Sequence, residues 1–139
     1  MKICVFGAGS IGGVIGGVLA NAGHDVSLIA RGAHLEALRA NGCRVETGGQ
    51  MFNVHPAASD TATDFGPQDI VIVAVKAPAM PAVAAGIAPL LGPETAVVPA
   101  MNGIPWWFFD SFPQTGPDIH LTKLDPTCLL YTSPSPRDA

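Results

Sequence analysis

The sequence predicts an α/β protein with a Rossmann-type, doubly wound and mainly parallel sheet, built as a single domain. Three observations predict it. Strand and helix patterns alternate over the first 46 residues. A glycine run, Gly7-Ala8-Gly9-Ser10-Ile11-Gly12, falls between the first strand and the first helix. An unbroken apolar run, Ile70-Val71-Ile72-Val73-Ala74-Val75, lies mid-chain. Alternation of this kind builds βαβ units, and such a run implies burial on both faces, as in a parallel sheet. At roughly 150 residues per domain, these 139 residues are expected to form one domain and not a two-domain enzyme.

The first strand is the apolar stretch Lys2 to Phe6. After the glycine run, Val14, Ile15, Val18 and Leu19 recur at helical spacing until Asn21-Ala22-Gly23, where Gly23 can take the left-handed conformation that closes a helix. His24-Asp25 turns the chain into a second buried strand, Val26 to Ala30. A second helix follows from Arg31 to Ala40, with Leu35 and Leu38 on one face and Asn41-Gly42 at its end. A third strand then runs from Cys43 to Glu46. Gly48-Gly49 marks a hairpin-like turn into Met51 to His55, whose alternation suits an edge strand, and Pro56 to Gln68 reads as a loop. Asp69 to Val75 is the strongest strand, with Lys76 at its carboxyl end. The Ala-rich stretch to Leu91 reads as helical despite Pro78, Pro81 and Pro89, since prolines are tolerated in a first turn and at a terminus. Thr95 to Ala100 is a last strand, ending at Met101-Asn102-Gly103. The apolar cluster Trp106-Trp107-Phe108-Phe109 beyond it needs a cover.

Hydrophobic residues make up 48% of the chain and charged residues 13%, which is ample for a core and too little charge for a disordered protein. A net charge of -4 supplies no basic footprint, so neither nucleic acid nor a membrane surface is expected as a partner. Cys4, Cys43 and Cys128 form no CxxC pair, and His24, His34, His55 and His120 have no metal-ligand spacing. No metal site is expected, the histidines read as surface or loop residues, and a reducing cytoplasm is the expected location. Lys2 and Ala20-Asn21-Ala22 resemble the ends of a signal peptide. Four glycines interrupt its apolar region, and the pattern continues directly into a folding domain. The most apolar stretch, 70–91, is broken by Lys76 and prolines before the ~20 residues a membrane helix needs.

The glycine run has the form GxGxxG in the context that makes it specific, after a strand and at the start of a helix. Gly7 allows the tight turn, Gly9 lets the backbone approach a pyrophosphate, and Gly12 lets the helix pack close to the sheet. Free N–H groups and the helix dipole then favour the anion. The alternative is a glycine-rich helix packed for steric reasons alone. At the end of the second strand, where NAD and FAD binders carry an acid, the chain has Ala30-Arg31-Gly32. Arg31 offers a planar, permanently charged fork suited to a 2′-phosphate, so NADP is favoured over NAD. Lys76 and Asn102 stand past the carboxyl ends of two predicted parallel strands, where doubly wound folds bind ligands. A strand-ending lysine and an ordinary Asn-Gly turn are the alternatives.

The segments KICVFGAGSIGG, SLIARG, VIVAVKA and MNGIPWWFF, in that order, resemble the N-terminal domain of the 2-dehydropantoate 2-reductase (ketopantoate reductase) family over about residues 2–127. The resemblance implies NADPH-dependent reduction of 2-dehydropantoate to pantoate, on the way to pantothenate and coenzyme A. Gly7, Ala8, Gly9, Ser10, Ile11 and Gly12 would hold the pyrophosphate and Arg31 the 2′-phosphate. Lys76 and Asn102 would meet the nicotinamide end and the edge of a small 2-oxoacid substrate. In that family a helical second domain supplies the catalytic lysine and a substrate-binding glutamate. The resemblance therefore implies no catalytic residue within this chain, and a helical partner domain that would cover Trp106 and Trp107. Residues 128–139 depart from the family pattern, and Cys-Leu-Leu-Tyr-Thr-Ser is the translation of the sequencing-adapter end TGT CTC TTA TAC ACA TCT. They are expected to be a disordered, non-native tail, with a native Ser/Pro-rich terminus as the alternative. Two other functions stay open, a different NAD(P)-dependent oxidoreductase domain and a non-catalytic dinucleotide-binding module.

Overall fold

The computed structural model describes residues 1–102. The Trp106-Trp107 cluster and the tail from Cys128 lie outside the described residues. β1 (Lys2–Phe6) is the middle of a five-stranded sheet, with β2 (Asp25–Ile29) on one side and β6 (Ile70–Val73) on the other, both parallel to it. β5 (Ala57–Ser59) extends the sheet beyond β2, and β7 (Ala96–Pro99) extends it beyond β6, again in parallel. The order β5-β2-β1-β6-β7 reverses direction between β1 and β6, which creates the switch point typical of doubly wound sheets.

Side chains of β1 alternate between two cores. Ile3 and Val5 point into a cluster with Val26, Leu28, Leu35 and Leu38, while Cys4 and Phe6 point into a second cluster with Val71, Val73, Val83 and Leu90. α1 (Ser10–Asn21) and α2 (Gly32–Asn41) cover the first face, and α3 (Met80–Gly86) covers the second. α1 sits unusually close. A Cβ on Gly16 would come within 2.6 Å of Leu28 Cδ2, and one on Gly17 would run into Val45, so both glycines serve packing. Gly13 would make only an ordinary contact, 3.7 Å from the Ala8 carbonyl oxygen. Burial in this packing pushes the Cys4 thiol up to about 12 and the Cys43 thiol in the same direction.

Four sequence expectations are corrected. The strand predicted at Cys43 to Glu46 is β3 (Cys43–Thr47), but it pairs only with antiparallel β4 (Gln50–Val54) in a separate hairpin turning at Gly48-Gly49. Its buried side chains, Cys43 and Val45, face α1 at Gly17 instead of joining the parallel sheet. The third strand of the sheet is β5, inside the stretch expected to be a loop. The helix expected up to Leu91 is three pieces: a 3-10 turn at Ala77–Ala79, α3, and a 3-10 turn at Ala88–Leu90, each with proline in its first turn. Proline fits a first turn and breaks the bonding of the turn before it. β6 is also shorter than predicted, with Val71 and Val73 buried and Ile70 and Ile72 half-buried. No helix among the described residues is long and apolar enough to cross a membrane.

Candidate functional site

The strand register builds the site. Phe6 is level with Ile29 and with Val73, and Val73 is level with Pro99, so four strands end together. The segments that leave them, Gly7–Ile11, Ala30–Arg31, Ala74–Ala77 and Ala100–Asn102, line one cleft of about 550 Å³. That volume lies within the range of about 300–1,000 Å³ usual for cofactor pockets.

Gly7 leaves β1 with φ +99, a conformation that strains any side chain, and a Cβ there would also meet Val75 Cγ1 at 2.5 Å. The loop thus lies flat against the exit of β6. Its Gly7 and Ala8 amides both donate to the Ile29 carbonyl, at 3.1 and 2.9 Å, which ties it to β2 as well. Gly9 differs. Its backbone is ordinary (φ -73, ψ -160), yet a Cβ there would meet nothing within 4 Å. The volume a side chain would take is cleft. Gly9 caps α1 with no side-chain hydrogen bond and no acidic residue in the first turn, so the first-turn N–H groups are without intrahelical partners. Ser10 and Ile11 are exposed on the wall, whereas Gly12 is buried behind it, where a Cβ would strike the Gly7 carbonyl oxygen.

Arg31 is the N-cap of α2, exposed and extended (φ -133, ψ 156), at the cleft. A cation at a helix start is disfavoured by the dipole unless an anion joins it. Lys76, also exposed, caps the 3-10 turn after β6, and Asn102 stands on the β7 side. Phe6, Ile29, Ala79, Val83 and Met101 supply an apolar floor. Among the described residues lining the cleft, Arg31 and Lys76 are basic and none is Asp or Glu. Of the nine residues the sequence nominated, eight line this cleft, and Gly12 supports it from behind. His34 is exposed, in keeping with its expectation as a surface or loop residue, but it stands in the first turn of α2 and also lines the cleft, with Nε2 bonded to the Ala8 carbonyl oxygen. Its spacing from Arg31, three residues on a helix, is the signal that could have found it.

A glycine turn opening a helix, cations at its flank and an apolar slot beside them suit a phosphate-rich ligand with a flat ring. Residues 3–105 match the family model described as ketopantoate reductase PanE/ApbA. The chain belongs to this family. It is 41% identical over 138 residues to the 2-dehydropantoate 2-reductase of Mesorhizobium japonicum, a match covering 99% of this chain and 42% of that protein. A Ralstonia solanacearum MolK2 protein assigned as a ketopantoate reductase superposes with a TM-score of 0.87 at 47% identity, over 98% of this chain and 42% of that one. D-mandelate dehydrogenase, solved with NADH and anilino(oxo)acetate, superposes with a TM-score of 0.68 at 26% identity, over 76% of this chain and 35% of that one. The chain spans about two fifths of the length of the two ketopantoate reductases it matches. Among the described residues no cluster of His, Cys, Asp or Glu could hold a metal ion.

Proposed function

We propose that this chain is the NADPH-binding part of a 2-dehydropantoate 2-reductase, and that the whole enzyme reduces 2-dehydropantoate to pantoate, toward pantothenate and coenzyme A. The observation that carries the proposal is the shared carboxyl edge, where the glycine loop, Arg31, Lys76 and Asn102 meet in one cleft. The residues fit a dinucleotide phosphate. The space at Gly9 admits a pyrophosphate against the backbone, and Arg31 stands where an acid would select NAD. Bound NADPH supplies a hydride, and the carbonyl oxygen takes a proton from a group outside this chain. This chain's own part is to bind and orient. The loop Gly7–Gly12 holds the pyrophosphate, Arg31 the 2′-phosphate, and Lys76 and Asn102 the nicotinamide end and the edge of the 2-oxoacid. A helical domain beyond this chain supplies the catalytic lysine and the substrate-binding glutamate and covers the Trp106-Trp107 region. The buried free thiols Cys4 and Cys43 support a reducing, cytoplasmic setting.

Within the chain, we assign residues 1–127 to the cofactor domain and 128–139 to a non-native tail. The Mesorhizobium match covers 99% of the chain and so continues past residue 127, which keeps a native terminus as the competing account. The cofactor assignment is tested at Arg31. Arg31→Ala should weaken NADPH binding by about 1.5 to 3 kcal/mol, the range for hydrogen bonds to charged groups, and leave NADH nearly unchanged. Equal losses for both cofactors in fluorescence titrations would remove Arg31 from the 2′-phosphate.

A further inference from the structure

We infer that His34 is a positioning residue for the cofactor: its bond to the Ala8 carbonyl locks the glycine loop to the start of α2, so that the loop and the Arg31 segment act as one unit. The inference rests on the reading of the cleft as a dinucleotide site. A carbonyl oxygen can only accept, so His34 Nε2 carries the proton and donates it across 26 residues of chain. Ala8, 1% exposed, is thereby held from two sides. Its amide donates to the Ile29 carbonyl at 2.9 Å, and its carbonyl accepts from His34.

The peptide between Ala8 and Gly9 is planar, so fixing the Ala8 carbonyl also fixes the direction of the Gly9 N–H. Gly9 is the residue whose missing side chain opens the cleft. His34 stands three residues after Arg31, the N-cap of the same helix, and both line the cleft. Residues at that spacing are neighbours on a helix surface. One ring therefore connects the backbone that would meet the pyrophosphate with the helix start that presents Arg31. Removing it returns rotational freedom to the Ala8–Gly9 peptide, which a bound dinucleotide would then have to take away.

The test compares the unmodified chain with His34→Ala and His34→Gln, titrating each with NADPH and with NADH and recording its melting temperature. His34→Ala should lose affinity for both cofactors by about three- to tenfold, the worth of one neutral hydrogen bond. His34→Gln, whose amide can donate to the same carbonyl, should recover most of the loss, and all three proteins should melt within the scatter of surface variants. Unchanged affinities in His34→Ala, or a loss without rescue by glutamine, would overturn the inference. A loss confined to NADPH would also overturn it and make His34 a direct phosphate ligand. A melting temperature lowered in both variants would make the residue structural. An unmodified chain that binds neither cofactor would instead refute the functional reading on which the inference rests, an outcome distinct from a chain that binds both and ignores His34.

Discussion

Alanine at Gly9 and alanine at Gly12, three residues apart, should damage two different properties. At Gly9 the backbone is extended in a region any residue adopts, and the new methyl would have no neighbour within 4 Å. Gly9→Ala should therefore fold at least as well as the unmodified chain, gaining up to about 1 kcal/mol because the unfolded chain loses freedom. The methyl would stand where a pyrophosphate must approach the backbone. Losing one charge-assisted hydrogen bond there costs about 1.5 to 3 kcal/mol, which weakens NADPH by roughly 10- to 100-fold. At Gly12 the methyl would collide with the Gly7 carbonyl oxygen and press to 3.1 Å from Ala74 Cβ. Backbone cannot swing aside as a flexible side chain can, so the cost falls on stability, about 1 to 3 kcal/mol. For a domain of this size each kcal/mol lowers the melting temperature by roughly 3 to 5 °C. Thermal melts by circular dichroism and NADPH fluorescence titrations on the same samples separate the two effects. Unaltered NADPH affinity in Gly9→Ala would refute the assignment of that space to the pyrophosphate, and an unaltered melt in Gly12→Ala would refute the tightness of the turn.

Three further outcomes are expected. The chain should show no sustained NADPH oxidation with 2-dehydropantoate even where it binds NADPH, because the family resemblance places the facing wall and the catalytic lysine in a further domain; turnover by the purified chain would overturn this. Cys4 has its thiol pushed from 9.0 to about 12 in the fold, so the stability it confers is complete below pH 9. That stability declines by about 1.4 kcal/mol per pH unit as pH rises toward 12, and urea melts of Cys4→Ala should lose that slope; an unchanged slope would clear Cys4. Truncation after Thr127 should leave NADPH affinity unchanged and stability within about 0.5 kcal/mol, whereas a large loss on truncation would favour a native terminus.

How much of this was legible depended on whether a residue's environment is set by its neighbours in sequence or by distant partners. β1, the glycine run, α1 and β2 were legible because each announces itself locally, by a β-branched run, by GxGxxG, or by Gly23 at a helix end. β5 was not. Ala57-Ala58-Ser59 has no β-branched residue, and it is a strand only because it pairs with Ser27–Ile29. Its end is secured by side chains the pattern does not weigh: buried Ser59 donates to Asp64 Oδ2 and accepts from the Thr61 amide. β3 and its hairpin turn at Gly48-Gly49 were legible, but not that the hairpin stands apart from the parallel sheet, since two buried side chains in alternation look the same in either setting. The prolines at 78, 81 and 89 were visible, and their cumulative effect was underrated. One proline begins a helix, whereas three spaced along a stretch begin three short ones.

The candidate site was more legible than the fold that carries it, and the strand register explains why. Gly7, Arg31, Lys76 and Asn102 are spread across 96 positions of sequence and were nominated on different chemical grounds, yet each stands at or just past the predicted carboxyl end of a strand. If the strands are parallel and end level, that placement brings them to one edge whatever happens between. Phe6, Ile29, Val73 and Pro99 do end level. Errors within the connections were therefore harmless. A missed β5, a hairpin that stands apart from the sheet and a broken helix all lie between strand ends and alter no strand that feeds the cleft. What placement at a strand end cannot reach is a residue that enters the site from inside a helix, which is where His34 lies, and a catalytic group from another domain, which the family resemblance alone supplies. Gly9 and Arg31 both stand where a strand gives way to a helix start, and they are told apart by chemistry: substitutions at Gly9 should act on any dinucleotide, while those at Arg31 should sort one dinucleotide from another.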